Sequence, residues 1–346
     1  MANTSRYRPP YALTSTILNR LAEITEGLGR YSVLAEQHLT PRLRRENRIR
    51  TIQASLAIEN NTLTLEQVTS LMDGKRVLGH PREIQEVHNA IAAYEALEQW
   101  DACSERDLLA AHAMLMRGLV EEVGCYRSGG VGIFRDKHCM HMAPPASRVP
   151  QLMVNLLSWL ANGEEHPLLA SCVFHYELEF IHPFADGNGR MGRLWQTLIL
   201  RQWKPLLAFL PLETVIRERQ EEYYRALALA DAQAEATPFV EFMLQALSEV
   251  MHQVAVTDQV TDQVTDQVTD QVAALIQIID QGELGSGALM KVLGLSHRPT
   301  FRENYLNPAL NAALVEQTQP HAPRSPTQRY RLTDKGRRWL LRHRTA

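Results

Sequence analysis

The sequence predicts a mainly α-helical protein: a helical bundle interrupted by one short β-hairpin flap, with a winged helix-turn-helix unit at the C-terminus. Three observations predict it. Apolar residues recur at three- and four-residue spacing through the first 250 positions. Only one stretch there, Arg127 to Pro145 (RSGGVGIFRDKHCMHMAPP), carries the glycines and paired prolines of a hairpin. Residues 273–346 read as three short helices followed by a strand and a basic end, the order of a winged helix-turn-helix.

Taken in order, STILNRLAEITEGLGRY places Ile17, Leu18, Leu21 and Ile24 on one helical face. PREIQEVHNAIAAYEALEQW repeats the pattern with Ile84, Val87, Ile91 and Leu97. SERDLLAAHAMLMRGLV opens on Ser104, an N-cap residue type followed by acids in the first turn. VPQLMVNLLSWL and SCVFHYELEFI continue the series, the latter readable as helix or strand but with helical neighbours. Then VTDQVTDQVTDQVTDQV, Val256 to Val272, repeats with a period of four. On a helix that stripe drifts by about 40° per repeat, so the valines wind around the axis without forming a flat face. Valine, threonine and aspartate are mediocre helix formers, and the tract lacks the seven-residue spacing of a coiled coil. It reads as an elongated spacer.

VAALIQIIDQ and GALMKVLGL are the first two helices of the last unit, and RPTFRENYLNPALNAALVEQ is a third, interrupted at Pro308. A short strand is expected around Arg329 to Leu332, before a basic end. The expected organisation is 1–105, an N-terminal helical region; 106–250, a core; 251–272, a linker; and 273–346, the winged-helix-like unit.

Composition excludes several classes. A chain of 346 residues with 45% hydrophobic and 22% charged residues and a net charge of −3 has the balance of an ordinary globular protein and implies no particular partner. Cys103, Cys125, Cys139 and Cys172 form no C-x-x-C pair, which argues against a disulfide framework or zinc ribbon. No apolar core follows the N-terminus, and the longest apolar stretch, Leu194 to Leu212, is broken by Arg201 and Lys204. The expectation is a cytoplasmic protein without a membrane span. Locally the end is basic: from Arg324 to Arg344 eight Lys or Arg face one acid, Asp334.

The chemistry concentrates in HPFADGNGRMGRLW, His182 to Trp195. Its G-x-G-x-x-G, at Gly187, Gly189 and Gly192, matches a dinucleotide fingerprint, with Glu213 near the distance of a ribose-binding acid. That reading needs a strand–turn–helix inside a βαβ repeat, and the flanks are helical with no second unit following. A different account uses every polar residue. Gly187-Asn188-Gly189 lets backbone N–H groups converge on an anion at the start of the next helix. Arg190 and Arg193, three apart, can face one phosphate chain. Asp186 offers the hard oxygen that Mg²⁺ accepts beside nucleotide phosphates. His182 is the side-chain type whose ordinary titration brackets neutral pH, able to accept a proton. Together these are the parts for phosphoryl or nucleotidyl transfer to a hydroxyl. Phe184 is expected to anchor the loop in the core. His175 is expected to be a packed, hydrogen-bonded histidine, and the HCMH of the flap, His138 to His141, lacks a second ligand cluster.

HPFADGNGRMGR resembles the full signature of the Fic family, His-Pro-Phe-x-Asp/Glu-Gly-Asn-Gly-Arg-x-x-Arg, at every fixed position. The approach HYELEFIHPF, the flap ending HMAPP and the pair Tyr223-Tyr224 are similar to that family too, over roughly residues 1–250. The resemblance implies protein adenylylation, in which AMP passes from ATP to a Ser, Thr or Tyr hydroxyl of a target protein and pyrophosphate leaves. By position it implies that His182 is the base and that Asp186 holds Mg²⁺. Gly187, Asn188 and Gly189 would form the anion hole with Arg190 beside it, Arg193 would grip the γ-phosphate, and Tyr223 and Tyr224 would contact adenine. The flap would present the target by strand addition. SLAIENN, Ser55 to Asn61, resembles the family's inhibitory motif, Ser/Thr-x-x-x-Glu-Gly/Asn, with Ser55, Glu59 and Asn60 in place; its carboxylate would pair with Arg193 where the γ-phosphate belongs. FRENYLNPAL and QRYRLTDKG resemble tails of many bacterial Fic proteins, and their basic end could hold DNA. The alternatives are a DNA-binding regulator whose core acts on itself or a bound partner, and transfer of UMP or phosphocholine. The oligomeric state stays open, a homo-oligomer included.

Overall fold

The computed structural model describes residues 7–38, 41–135, 138–266, 269–280, 282–319, 325 and 327–343. The chain divides into two compact units, Met1–Ala255 and Val256–Ala346.

In the first unit, α1 (Ser15–His38) buries Ile17, Ile24 and Leu28, and α2 (Pro41–Ile58) buries Ile49, Ile52 and Leu56. A reciprocal Thr64–Gln67 capping box starts α3 (Leu65–Met72). His80 caps α4 (Pro81–Glu95), whose first residue is proline, and Ser104 caps α5 (Glu105–Leu115) as its type foretells. The flap is the antiparallel pair β1 (Gly132–Arg135) and β2 (His138–Met142), with a bulge between Ile133 and Phe134. The HCMH side chains lie outside those described.

Behind the flap come α6 (Val149–Ala161), α7 (Pro167–Ile181) and α8 (Asn188–Trp203). SCVFHYELEFI is helix: Pro167 sits in the first turn, the His166 ring accepts from Leu168 N, and Leu168 to Glu179 are buried without a break. A helix apolar or buried on all sides is a central helix, and α7 is the one the site is built on. α9 (Leu212–Glu218), α10 (Gln220–Gln233) and the part of α11 (Thr237–Asp266) before Val256 complete the unit. The residues before α1 are tied across these helices: Tyr7 Oη donates to Glu177 Oε2 at 2.7 Å and Ala236 N to Pro10 O at 2.8 Å. One hydrophobic core runs from Ile17 to Met251, so the segment carrying Ser55 and Glu59 shares its packing with the glycine loop. The first part of the VTDQ repeat is helical, as the end of α11.

The second unit has its own core, including Leu275, Ile276, Leu289, Phe301, Leu314 and Leu332. Its order is α12 (Asp270–Ile279), β3 (Leu284–Gly285), α13 (Ser286–Val292), α14 (Arg298–Phe301), α15 (Asn307–Asn311), β4 (Val315–Gln317), β5 (Arg329–Leu332) and α16 (Asp334–His343). A π-helical turn, Arg302–Leu306, joins α14 to α15. Pro308 lacks an N–H and crowds the carbonyl four residues back, so the chain widens ahead of it and stays helical where an interruption was expected. The three strands form an antiparallel sheet in the order β3-β5-β4, and the basic end is helix α16. Among the described residues no helix is long and apolar enough to cross a membrane.

Candidate active site

The glycine loop joins α7 to α8. His182 ends α7 in the left-handed region (φ 49°, ψ 61°), a conformation a non-glycine residue keeps only when its surroundings over-determine it. Its Nδ1 lies 3.3 Å from the carbonyl of Glu179, one turn back, and 3.9 Å from Glu179 Oε2, which turns that nitrogen toward its own helix. Phe184 is fully buried and stacks on His112 at 3.8 Å between ring centres. His112 Nδ1 accepts from Gly124 N at 3.0 Å while its Nε2 lies 3.0 Å from the carbonyl of Asp186. Those contacts select the neutral tautomer with Nε2–H donating, and burial pushes this ring's pKa down.

Gly187 precedes α8 with φ +86°, where a side chain would be strained and its Cβ would meet Met116 Sδ at 2.6 Å. The Asn188 amide stitches the loop shut, accepting from Phe184 N and donating to Phe184 O, each at 2.9 Å. The first N–H groups of the 16-residue helix α8 therefore follow a turn with no side-chain cap.

The two arginines serve different places. Arg193, 2% exposed, donates from Nη2 to Glu59 Oε1 at 2.7 Å, from Nε to Ser55 Oγ at 3.0 Å and from Nη2 to the Ser55 carbonyl at 3.0 Å. Burial is the largest influence and works against its charge, but Glu59, Tyr223 and Glu179 together outweigh it and raise its pKa. Arg190 is turned away, its Nη2 donating to Asp186 Oδ1 at 2.9 Å and its Nη1 lying 3.5 Å from Glu86. Asp186 also accepts from Gly187 N at 2.6 Å and faces Arg82 at 3.6 Å. The Glu59 carboxylate lies on the loop itself, since a Cβ at Gly189 would meet Glu59 Oε1 at 2.5 Å. Asn60 follows with φ 67°, which accounts for a motif that takes Gly or Asn there.

A cavity of about 960 Å³ opens over this arrangement, lined by Glu59, Asn60, Glu179, His182, Gly189, Arg193, Tyr223 and Tyr224, and also by Leu227 and Asp231. Asp186, Gly187, Asn188, Arg190 and Ser55 support the wall without lining it. The tyrosines divide. Tyr223 is 1% exposed and its hydroxyl lies 3.2 Å from His175 Nε2, whereas Tyr224 is 38% exposed at the cavity. His175 is a packed histidine: Nδ1 meets Gln196 Oε1 at 2.7 Å, and burial pushes its pKa to about 3. Glu213, considered for a ribose, is a buried core residue accepting from Tyr94 Oη at 3.1 Å, its pKa pushed up to about 7 by burial.

Sequence reasoning missed Glu179, a buried carboxylate between His175, His182 and Arg193, although it is one helical turn before His182. It also missed His112 and Glu86. Glu86 accepts from Asn61 Nδ2 at 2.9 Å and faces Arg190, so α4 touches both the inhibitory-type motif and the loop. Neither has a local motif to announce it.

A helical fold that presents a glycine-turn helix start, a histidine and a buried arginine around one cavity defines the class of Fic-domain proteins, and similarity agrees. The model of the Fic/DOC family matches residues 102–200, and that of the C-terminal domain of filamentation induced by cAMP protein Fic-like matches residues 270–333. A crystal structure of a Fic family protein from Desulfovibrio desulfuricans is 72% identical, covering 94% of this chain and 98% of that one, with a TM-score of 0.73. The chain belongs to the Fic family. A Fic domain containing signaling protein from Bacteroides thetaiotaomicron shares the fold at 21% identity, covering 69% of this chain and 95% of that one, TM-score 0.54. The protein adenylyltransferase Fic of Culex quinquefasciatus is 30% identical over 245 residues, 63% of this chain and 46% of that protein. The chain thus spans about half the length of the curated relatives it matches.

Proposed function

We propose that this chain transfers AMP from ATP to a Ser, Thr or Tyr hydroxyl of a protein, itself included, and that Glu59 restrains the reaction. The observation that carries the reading is the Glu59 carboxylate resting on Gly189 and Arg193 in the cavity that His182 lines: an internal anion in an anion site. In the transfer, the acceptor oxygen attacks the α-phosphorus and its proton passes to His182 Nε2. The bond from the α-phosphorus to the bridging oxygen breaks, and pyrophosphate leaves with that electron pair. The first N–H groups of α8 stabilise the charge on the phosphate oxygens. Arg193 takes the γ-phosphate once Glu59 has left, and Arg190 adds positive charge at Asp186.

Among the described residues no cluster of three His, Cys, Asp or Glu could hold a metal by itself. Asp186, a half-buried carboxylate at the head of the glycine turn, fits the Mg²⁺ habit of taking one protein oxygen together with substrate phosphates. Bound there, Mg²⁺ would neutralise negative charge on the substrate phosphates. Tyr224 offers adenine a ring face, while Tyr223 supports it from the core. The flap receives the target as an added strand. In this reading residues 1–105 carry the brake, 106–250 the catalytic core, 251–272 a linker and 273–346 a winged-helix-like unit, in a cytoplasmic protein.

The test uses Glu59→Gly protein with Mg²⁺ and ATP labelled at the α- or the γ-phosphate. Label arriving from the α-position only, and lost in Glu59→Gly/His182→Ala, is the expected result; γ-label or none overturns the reading.

A second reading, DNA contact, is favoured by charge. Residues 273–346 hold eleven Lys or Arg against five acids in a chain of net charge −3, in a unit built of helices α12 to α16 and a small sheet. Retardation of duplex DNA by the full chain, weakening steeply with salt, is its expected signature; no retardation at low salt ends it.

A further inference from the structure

Arg127 stands where the flap meets the catalytic loop. It is 4% exposed, and among the described residues no carboxylate pairs with it; burial alone pushes its pKa down. Its charge is answered by carbonyls. Nε donates to His182 O at 2.6 Å and Nη2 to Ile181 O at 3.2 Å. Nη2 also donates to Pro144 O at 2.6 Å, and Nη1 to Gly129 O at 2.8 Å. Its backbone N–H donates to Pro183 O at 2.9 Å. Four of the five guanidinium N–H bonds are thus used in one plane.

The identity of those carbonyls matters. Ile181 and His182 end α7, where carbonyls lack intrahelical partners and the helix dipole is negative, so a cation there is stabilised without an acid. Gly129 precedes β1 and Pro144 follows β2, the two feet of the flap. One side chain therefore ties both feet of the flap to the carbonyl of His182, whose backbone is held in the left-handed region.

We propose that Arg127 is a positioning residue for the transfer, fixing the flap, where the acceptor docks, relative to the imidazole that takes its proton. The proposal rests on the adenylyl-transfer reading above. Lysine keeps the charge at the helix end but loses the planar fork, and methionine keeps the stem and loses both.

The test compares Arg127→Lys and Arg127→Met in the Glu59→Gly background, using self-labelling from α-labelled ATP as the probe. Displacing a reacting group by about 1 Å costs on the order of 100-fold, so Arg127→Met should lose about that much single-turnover rate, and Arg127→Lys about tenfold. The Kd for a non-hydrolysable ATP analogue with Mg²⁺ should stay within about threefold, because the nucleotide groups are untouched. Hydrogen exchange in residues 127–132 and 142–143 should quicken in both variants. Unchanged rate overturns the proposal, as does a rate that falls only in step with nucleotide affinity and folded fraction. Where Arg127→Met does not fold, Arg127→Lys decides alone by the same criteria. Absence of label in the Glu59→Gly parent refutes the adenylyl-transfer reading instead; exchange at the flap feet then decides about Arg127, and unchanged protection sinks it.

Discussion

Replacing Glu59 by glycine removes the acceptor 2.7 Å from Arg193 Nη2 and the anion lying on Gly189. Glu59 follows the last residue of α2, so the glycine costs little helix stability. Arg193 keeps its bonds to Ser55 Oγ and the Ser55 carbonyl, and so remains in place for a phosphate. A hydrogen bond to a charged group contributes about 1.5–3 kcal/mol. The Glu59 side chain is 33% exposed, and screening by solvent reduces the figure to about 1–2 kcal/mol. At 1.4 kcal/mol per tenfold, the productive ATP pose should gain about 5- to 30-fold in population. The assay is single-turnover incorporation of α-labelled AMP at ATP well below saturation, for wild type, Glu59→Gln and Glu59→Gly. Glutamine keeps the shape and loses the charge, so it should fall between the others. Equal labelling of wild type and Glu59→Gly would refute the reasoning, because the contact would then not compete with ATP.

Three further outcomes follow from the geometry. Glu213 has its pKa raised by burial to about 7, so the folded state keeps a proton that the unfolded chain releases near 4.5. Its contribution is full below about pH 4.5 and is lost as pH rises through 7, at most on the order of 3 kcal/mol. Glu213→Gln should flatten urea stability between pH 4.5 and 7 and stabilise the protein at pH 8; a parallel curve contradicts this. Gly187→Ala forces a side chain into φ +86° and onto Met116, so unfolding should become easier by about 1–2 kcal/mol or more, with loss of labelling in the Glu59→Gly background. Tyr224→Ala should weaken binding of an ATP analogue by about 1–3 kcal/mol, the usual size of a base–ring stack, while Tyr223→Phe should leave it unchanged.

Much of the site was legible because its residues lie close together along the chain. His182 through Arg193 span one helix end, one turn and one helix start, so spacing alone fixes which groups can converge. The division between Arg190 and Arg193 was not legible. Three-residue spacing puts both on one face of α8, but Arg193 meets α2 and Arg190 meets α4, and only packing decides those neighbours. The Tyr223–Tyr224 pair behaves likewise: adjacent residues on a helix point about 100° apart, and the bundle determines which one the core takes. The strand at Arg329–Leu332 followed from its own pattern, whereas β3, of two residues, exists only as a partner for it.

By itself the sequence determined the helical bundle and the glycine turn with its histidine, since each is written in local spacing and residue type, while the Ser55–Asn60 motif stood out by its resemblance to an inhibitory one. The pairing of Glu59 with Arg193 across 134 positions was expected from the motif, but tertiary structure alone decided that Arg127 reaches His182 across 55 positions and that Arg190 turns to Glu86. Such contacts join segments remote along the chain, and their geometry is fixed by how buried helices pack, which no local pattern encodes.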